Sequence, residues 1–465
     1  MHRLATTINS LPDNVLLEIF DLYRLDEATT SRHLPWEWHT LAHVCKTWRD
    51  IVFSSSLRLN LELLCTYGTP VRKNLGYLPV LPIVIHYPGC IQESDEDNIV
   101  AALKHPDRVR AIDFGAPCPV LGKMATVTQG PFLALTRLVL ESTADGIMPI
   151  LSDGFLGGCA PHLQEIDLKG IPFPAALTPL LSARDLVDVS LRGIFNTNSI
   201  STETLVVSLA ALSRLEYLTL VFRWGPPYPV LSRQHPSRRT VLPALTFFYF
   251  EGYLEYLEHF LAQIDAPQLR SLGIEYSEYW DEEEVADYQI PQLCKFIDRL
   301  ENLKLSWFRR VDLHIEFNVV IIDLVHGDQS SFTLTVQDEG INQVLGQICT
   351  RLSNVDRLFI TSDDSETKYN GLGDEILWLQ LLRPFTAVKA LSVQNGLTRH
   401  VAFALQNVTG ERAAEVLPAL ELLCLQNFSQ PMAYVEKFVE ARRNVGRPVT
   451  FIDQIKELQE RLESE

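Results

Sequence analysis

Leu135-Thr136-Arg137-Leu138-Val139-Leu140 and Leu163-Gln164-Glu165-Ile166-Asp167-Leu168 each place an apolar residue at i, i+3 and i+5. The same spacing recurs at Val109-Ile112-Phe114, Leu186-Val189-Leu191, Leu215-Leu218-Leu220, Leu245-Phe248-Phe250 and Leu269-Leu272-Ile274. It continues at Phe308-Val311-Leu313, Val355-Leu358-Ile360, Val388-Leu391-Val393 and Leu420-Leu423-Leu425, with a weaker copy at Leu334-Val336. From Phe114 to Leu425 the pattern spans 311 residues in eleven steps, a mean of about 28. Residues i+3 and i+5 lie on one side of a strand. Helical spacing fits the intervals 202–212, 254–264 and 343–352. A strand–helix unit cannot bury its apolar face alone, so repetition predicts units that stack into a curved solenoid around one parallel sheet.

A period near 28 residues and this strand pattern resemble the leucine-rich repeats. The likeness is confined to the first half of each unit. Thr143, Ile171, Ile194, Arg223 and Phe428 stand where that family places Asn or Cys, so the repeats are divergent. Positions i+2, i+4 and i+6 alternate with the buried ones and are expected on the concave face. Tyr217, Phe247 and Tyr249 fall there, with Glu251, Glu275, Glu141, Glu165, Asp167 and Asp188 around them. Aromatic anchors in an acidic rim suit a basic protein or peptide.

The first sixty residues follow a different rule. Ser10-Leu11-Pro12-Asp13 is a helix start: Ser10 caps, Pro12 loses no needed N–H, and Asp13 suits the positive end of the dipole. Val15, Leu16, Ile19 and Phe20 make one apolar stripe, and Leu41, Val44, Cys45, Trp48 and Ile51 make another. Such short helices need a partner to cover their faces. Leu11-Pro12-Asp13-Asn14-Val15-Leu16-Leu17-Glu18-Ile19-Phe20, followed by Val44-Cys45-Lys46-Thr47-Trp48-Arg49, resembles an F-box. The loop from Leu22 to His39 is longer than the compact family pattern. With Pro35-Trp36-Glu37-Trp38-His39 and the segments 58–61 and 65–71, it is similar to the expanded F-box proteins of mushroom-forming (basidiomycete) fungi.

The resemblance implies an F-box/leucine-rich-repeat protein of α/β class. Its domains would be an all-helical F-box at 8–53, a linker and array cap at 54–105, a repeat array at 106–430 and a C-terminal capping helix at 431–465. That helix is marked by Ile452, Ile455, Leu458 and Leu462. It also implies a non-catalytic substrate receptor of a Skp–cullin–F-box ubiquitin ligase. Leu11, Pro12, Leu16, Ile19, Leu41, Val44 and Trp48 would meet a Skp-family adaptor, and through it cullin. The rival reading is a repeat scaffold acting outside any ligase.

Composition agrees with a folded chain that takes no nucleic acid and no membrane. Its 465 residues carry 40 Lys+Arg against 58 Asp+Glu, a net charge of −18. Met1–Val15 has no apolar core of a secretory signal, and Leu75–Gln92 carries too many prolines for a membrane helix. Eight scattered cysteines form no CxxC, which predicts free thiols in the cytoplasm or nucleus and no zinc site. The glycosylation triplets at Asn407 and Asn427 are therefore read as chance. No HExxH, GxSxG, GxGxxG, P-loop or EF-hand spacing occurs, so no cofactor or catalytic site is expected. Acidic runs at 93–97, 281–284 and 363–366 read as solvated loops.

Overall fold

The computed structural model describes residues 8, 11–27, 38–69, 71–128, 130–143, 155–171, 183–195, 201–223, 239–276, 288–316, 319–326, 330–337, 340–362, 375–394, 396–408, 412–413, 415–426 and 433–452. The chain divides into two compact units, Met1–Gly193 and Ile194–Glu465. The runs 281–284 and 363–366, the Pro-rich stretch 224–235 and the tail from 453, with Ile455, Leu458 and Leu462, lie outside the described residues.

The first unit opens with three helices, α1 (Asp13–Glu27), α2 (Trp38–Val44) and α3 (Lys46–Ser54). After them come β1 (Leu63–Cys65), α4 (Val71–Tyr77), β2 (Ile83–Cys90), α5 (Glu93–Leu103) and β3 (Val109–Ala116). Then follow α6 (Cys118–Val127), β4 (Arg137–Ser142), β5 (Glu165–Lys169) and β6 (Asp188–Phe195). β1 to β6 pair in parallel and in sequence order. The segment 54–105, expected as a linker and array cap, contains β1 and β2.

In the second unit, α7 (Thr202–Leu209) and β7 (Tyr217–Arg223) precede β8 (Thr240–Val241) and β9 (Phe247–Gly252). α8 (Leu254–Gln263), β10 (Ile264–Asp265), β11 (Ser271–Tyr276) and α9 (Pro291–Arg299) come next. They lead to β12 (Arg310–Glu316), β13 (Val319–His326), β14 (Ser330–Gln337), α10 (Ile341–Ile348) and β15 (Arg357–Thr361). The unit ends with α11 (Glu375–Leu382), β16 (Ala390–Val393), α12 (Leu397–Gln406), β17 (Leu422–Leu425), α13 (Ala433–Asn444) and β18 (Thr450–Ile452). Its sheet runs β7-β9-β11-β14-β13-β12-β15-β16-β17-β18, and β8 and β10 form a separate parallel pair.

That order corrects the expectation of a wholly parallel, sequence-ordered sheet. β13 runs antiparallel between β12 and β14, so the chain fills the far slot before the near one. β14, not β12, lies beside β11, and β12 lies beside β15. Two residues separate β12 from β13 and three separate β13 from β14. A parallel crossover needs roughly a dozen residues, so only hairpin returns fit.

The apolar register holds throughout. Each i+3 and i+5 residue from Ile112 and Phe114 to Leu423 and Leu425 is buried, as is each leading residue from Val109 to Leu420. A turn recurs at the strand entries. Leu135, Leu163, Leu186, Leu215, Leu245, Leu269, Val355 and Leu420 each donate N–H to the carbonyl three residues earlier. Neighbouring helices pack along the sheet, α7 on α8, α8 on α9 and α11 on α12. The Glu258 carboxylate in α8 accepts from the backbone N–H groups of Gln292 and Leu293 at 2.7 and 2.8 Å, capping α9. Ile452, read as the start of an end helix, instead sits in β18. Arg442 of α13 is buried and donates to the carbonyls of Ala413 and Leu420 at 3.1 and 2.9 Å.

Candidate interaction surfaces

The helical region is built from two apolar sides of short helices. Val15 and Leu16 donate to the Pro12 carbonyl at 2.9 and 3.1 Å, starting α1. Cys45 caps α3: its backbone is extended and its Sγ accepts from Trp48 N–H at 3.5 Å. Leu16, Phe20, Leu41, Trp48, Ile51 and Val52 are buried together, with the Phe20 and Trp48 rings 4.8 Å apart. Arg58 donates to Glu18 at 2.6 Å and to Asp21 at 3.1 Å, fastening α1 to the segment after α3. Trp38 Nε1 donates to the Glu62 carbonyl at 3.1 Å, tying α2 to the lead-in of β1.

This core splits the seven residues expected to meet an adaptor. Leu16, Leu41 and Trp48 are interior, packed within the helical region. Leu11 and Ile19 are half-buried, Pro12 is exposed, and Val44 is 57% exposed. Val15 of the expected stripe is exposed, and spacing missed two further exposed apolar residues on α1, Leu22 and Tyr23. Pro12, Val15, Ile19, Leu22 and Tyr23 fall within one arc of about 100° at 3.6 residues per turn. Leu16 and Phe20 lie beside that arc, on the buried side.

The outward face of the first unit's sheet is charged but paired. Arg137 bridges Glu165 at 2.9 Å and Asp113 at 3.2 Å. Lys169 meets Glu141 at 2.6 Å, and Arg192 pairs with Asp167. Each partner comes from a neighbouring strand: Arg137 lies opposite Glu165 and Glu141 opposite Lys169. Asp188 is the exception. Burial, then the charges of Glu165 and Asp167, push its carboxyl up to about 6.

In the second unit, the five residues expected to bind a target share one outward face. Tyr217 lies opposite Phe247, Thr219 opposite Tyr249, and Glu251 opposite Glu275. The Tyr217 and Phe247 rings are 6.1 Å apart, and Tyr217 is 44% exposed. Tyr249 donates its phenol hydrogen to Glu275 at 2.9 Å, with Glu251 at 3.4 Å from the same oxygen. Its ring crosses Gly273 of β11, where an added Cβ would lie 2.8 Å from Cδ2. Burial, and then repulsion from Glu275, raises the Glu251 carboxyl above its ordinary value. Burial and the two carboxylates raise the Tyr249 phenol.

Residues 8–61 match the F-box-like family model. The N-terminal helical region is thus an F-box-like domain. No curated protein matches the chain. Among the described residues, no helix is long and apolar enough to cross a membrane, and no group of His, Cys, Asp and Glu is placed to hold a metal.

Proposed function

We propose that this chain is the substrate-recognition subunit of a Skp–cullin–F-box ubiquitin ligase. The observation that carries the reading is the F-box-like domain at 8–61 with an apolar stripe left uncovered on α1. Leu11, Pro12, Val15, Ile19, Leu22, Tyr23 and Val44 are the anchors that a Skp-family adaptor covers. Leu16, Leu41 and Trp48 act from beneath by fixing the helices. Apolar anchors entering a partner's groove carry most of an interface's energy.

The remainder is a divergent leucine-rich-repeat solenoid that binds the target protein. Support comes from the repeated strand-entry turn and the unbroken i, i+3, i+5 burial. Tyr217, Phe247, Tyr249, Glu251 and Glu275 form the target-binding face, and the segment 431–465 closes the array. The receptor makes no bonds itself. It raises the target's effective concentration near a charged conjugating enzyme. The scattered cysteines, with no CxxC spacing, support a reducing cytoplasmic or nuclear setting.

The test is affinity purification of the full chain from cells with the proteasome blocked. Recovery of a Skp-family adaptor together with cullin supports the reading. Recovery of the chain without either overturns it in favour of a scaffold outside any ligase.

A further inference from the structure

We infer that the Tyr217–Phe247–Tyr249–Glu251–Glu275 face is a receptor for an arginine side chain of the bound target protein. This rests on the proposed target-binding role of the same face and adds the chemistry of what it takes.

Three observations carry it. First, Glu251 and Glu275 are register partners on adjacent parallel strands, so two carboxylates stand side by side. Like charges in direct cross-strand register repel. The Tyr249 phenol supplies one hydrogen to this pair, at 2.9 and 3.4 Å, which leaves most of the acceptor sites of four carboxylate oxygens to other donors. Neither glutamate forms an ion pair with a basic residue among the described residues. Other outward-facing acids differ: in the first unit Glu141, Glu165 and Asp167, and in the second Asp312, each hold a Lys or Arg.

Second, the protein itself shows what this combination of groups accommodates. On the same unit's sheet the Arg310 guanidinium lies 3.9 Å from the centroid of the Phe359 ring, with Nε donating to Asp312 at 2.7 Å. Phe359 lies opposite Asp312 on the neighbouring strand. An aromatic ring on one strand and a carboxylate on the next thus hold one guanidinium between them. Tyr217, Phe247 and Tyr249 beside Glu251 and Glu275 repeat those ingredients with no cation from the described residues.

Third, shape favours arginine. The missing Cβ of Gly273 makes room for the Tyr249 ring over β11, and the Tyr217 and Phe247 rings, 6.1 Å apart and tilted by 38°, lie on the same face. A planar guanidinium stacks on such rings and presents five N–H donors to paired carboxylates. An ammonium offers a point charge without the plane.

The experiment uses the full chain and three fluorescein-labelled peptides: hexa-arginine, hexa-lysine and hexa-citrulline. Anisotropy titrations compare wild type, the double variant E251Q/E275Q and the control double variant E141Q/E165Q, which changes net charge equally. Glutamine can still accept the Tyr249 hydrogen bond, and thermal unfolding checks that both variants fold. The expected result is arginine over lysine over citrulline, with arginine-peptide affinity down about tenfold in E251Q/E275Q and little changed in the control. Equal losses in both double variants, equal binding of the arginine and lysine peptides, or no arginine-peptide binding would overturn the inference.

A photo-crosslinking residue at Tyr217, in cells with the proteasome blocked, separates this inference from its premise. A target adduct that survives E251Q/E275Q overturns the arginine receptor and keeps the target-binding face. Absence of any adduct from Tyr217 in the otherwise wild-type chain overturns both. An adduct lost in E251Q/E275Q but kept in the control supports both.

Discussion

Val44→Ser tests whether the exposed apolar residues of the helical region, rather than its core, meet the adaptor. Val44 exposes 57% of its surface at the end of α2. That corresponds to about 85 Å² of mostly apolar area, or about 2 kcal/mol at ~25 cal/mol/Å² if docking covers all of it. Serine keeps only Cβ, so about half of that is lost. Desolvating its hydroxyl without a partner costs about 1 kcal/mol more. The sum of about 2 kcal/mol corresponds to a roughly 30-fold weaker adaptor complex. Valine and serine have similar helix propensities, so fold stability should move by less than about 0.5 kcal/mol. Leu16→Ala is the counterpart. Leu16 is buried against the helical core, and its truncation should cost about 2–5 kcal/mol of stability. Calorimetric titration with purified adaptor gives the first quantity and urea unfolding the second. The reasoning fails if Val44→Ser binds the adaptor as tightly as wild type, or if its affinity falls only in step with its unfolding midpoint.

Asp188→Asn should stabilise the fold at pH 7.5 and leave it unchanged near pH 4. The folded state holds the Asp188 proton up to about 6, above the ordinary 3.8, so its stability is full below the ordinary value and falls as pH rises through 6. After discounting for partial exposure the gain is about 1 kcal/mol, and an equal gain at both pH values would contradict the assignment. Gly273→Val places a side chain where Cβ would already lie 2.8 Å from the Tyr249 ring. The ring must leave Glu275, at a cost of about 1–3 kcal/mol in urea unfolding, and unchanged tyrosine near-UV dichroism would count against the described ring position. Trp38→Phe removes the 3.1 Å bond to the Glu62 carbonyl while keeping an aromatic ring in place. A loss of about 1 kcal/mol is expected, and no loss would show that water replaces the indole N–H.

The sheet was legible because strand sidedness is a period-two signal that survives divergence. Leucine, isoleucine, valine and phenylalanine interchange at i+3 and i+5 without changing which face is buried. The entry turn was not legible. Its i−3 position is apolar and buried each time, but ranges from Ala160 and Ala266 to Leu212 and Phe132, and an apolar residue there does not announce a turn that a backbone hydrogen bond defines. The β12–β14 inversion was hidden for another reason. Val320, Ile322 and Leu324 alternate like any strand, and alternation carries no direction. Direction lay in the two-residue gap before Val319, which excludes a crossover. In the helices the difficulty was width. Val15 and Leu16 are neighbours in sequence and on the helix surface, yet one faces solvent and the other the Trp48 side.

Charge on the outward face follows the same logic and changes what an acidic rim means. In sequence, Glu141, Glu165 and Asp167 look like unshielded acids, because their cations are about one repeat away: Lys169, Arg137 and Arg192. Parallel register brings each pair to adjacent strands, where the charges cancel. Exposed pairs of this kind add little stability, about 0–1 kcal/mol each. Their larger effect is on recognition, because a carboxylate already holding an arginine offers a weaker field to another. The first unit's acids therefore lose most of their attraction for a basic partner. Glu251 and Glu275 keep theirs, since register pairs them with each other. Net charge alone does not distinguish one acid from another, whereas register leaves Glu251 and Glu275 without a described cation on the strands that also carry Tyr217, Phe247 and Tyr249.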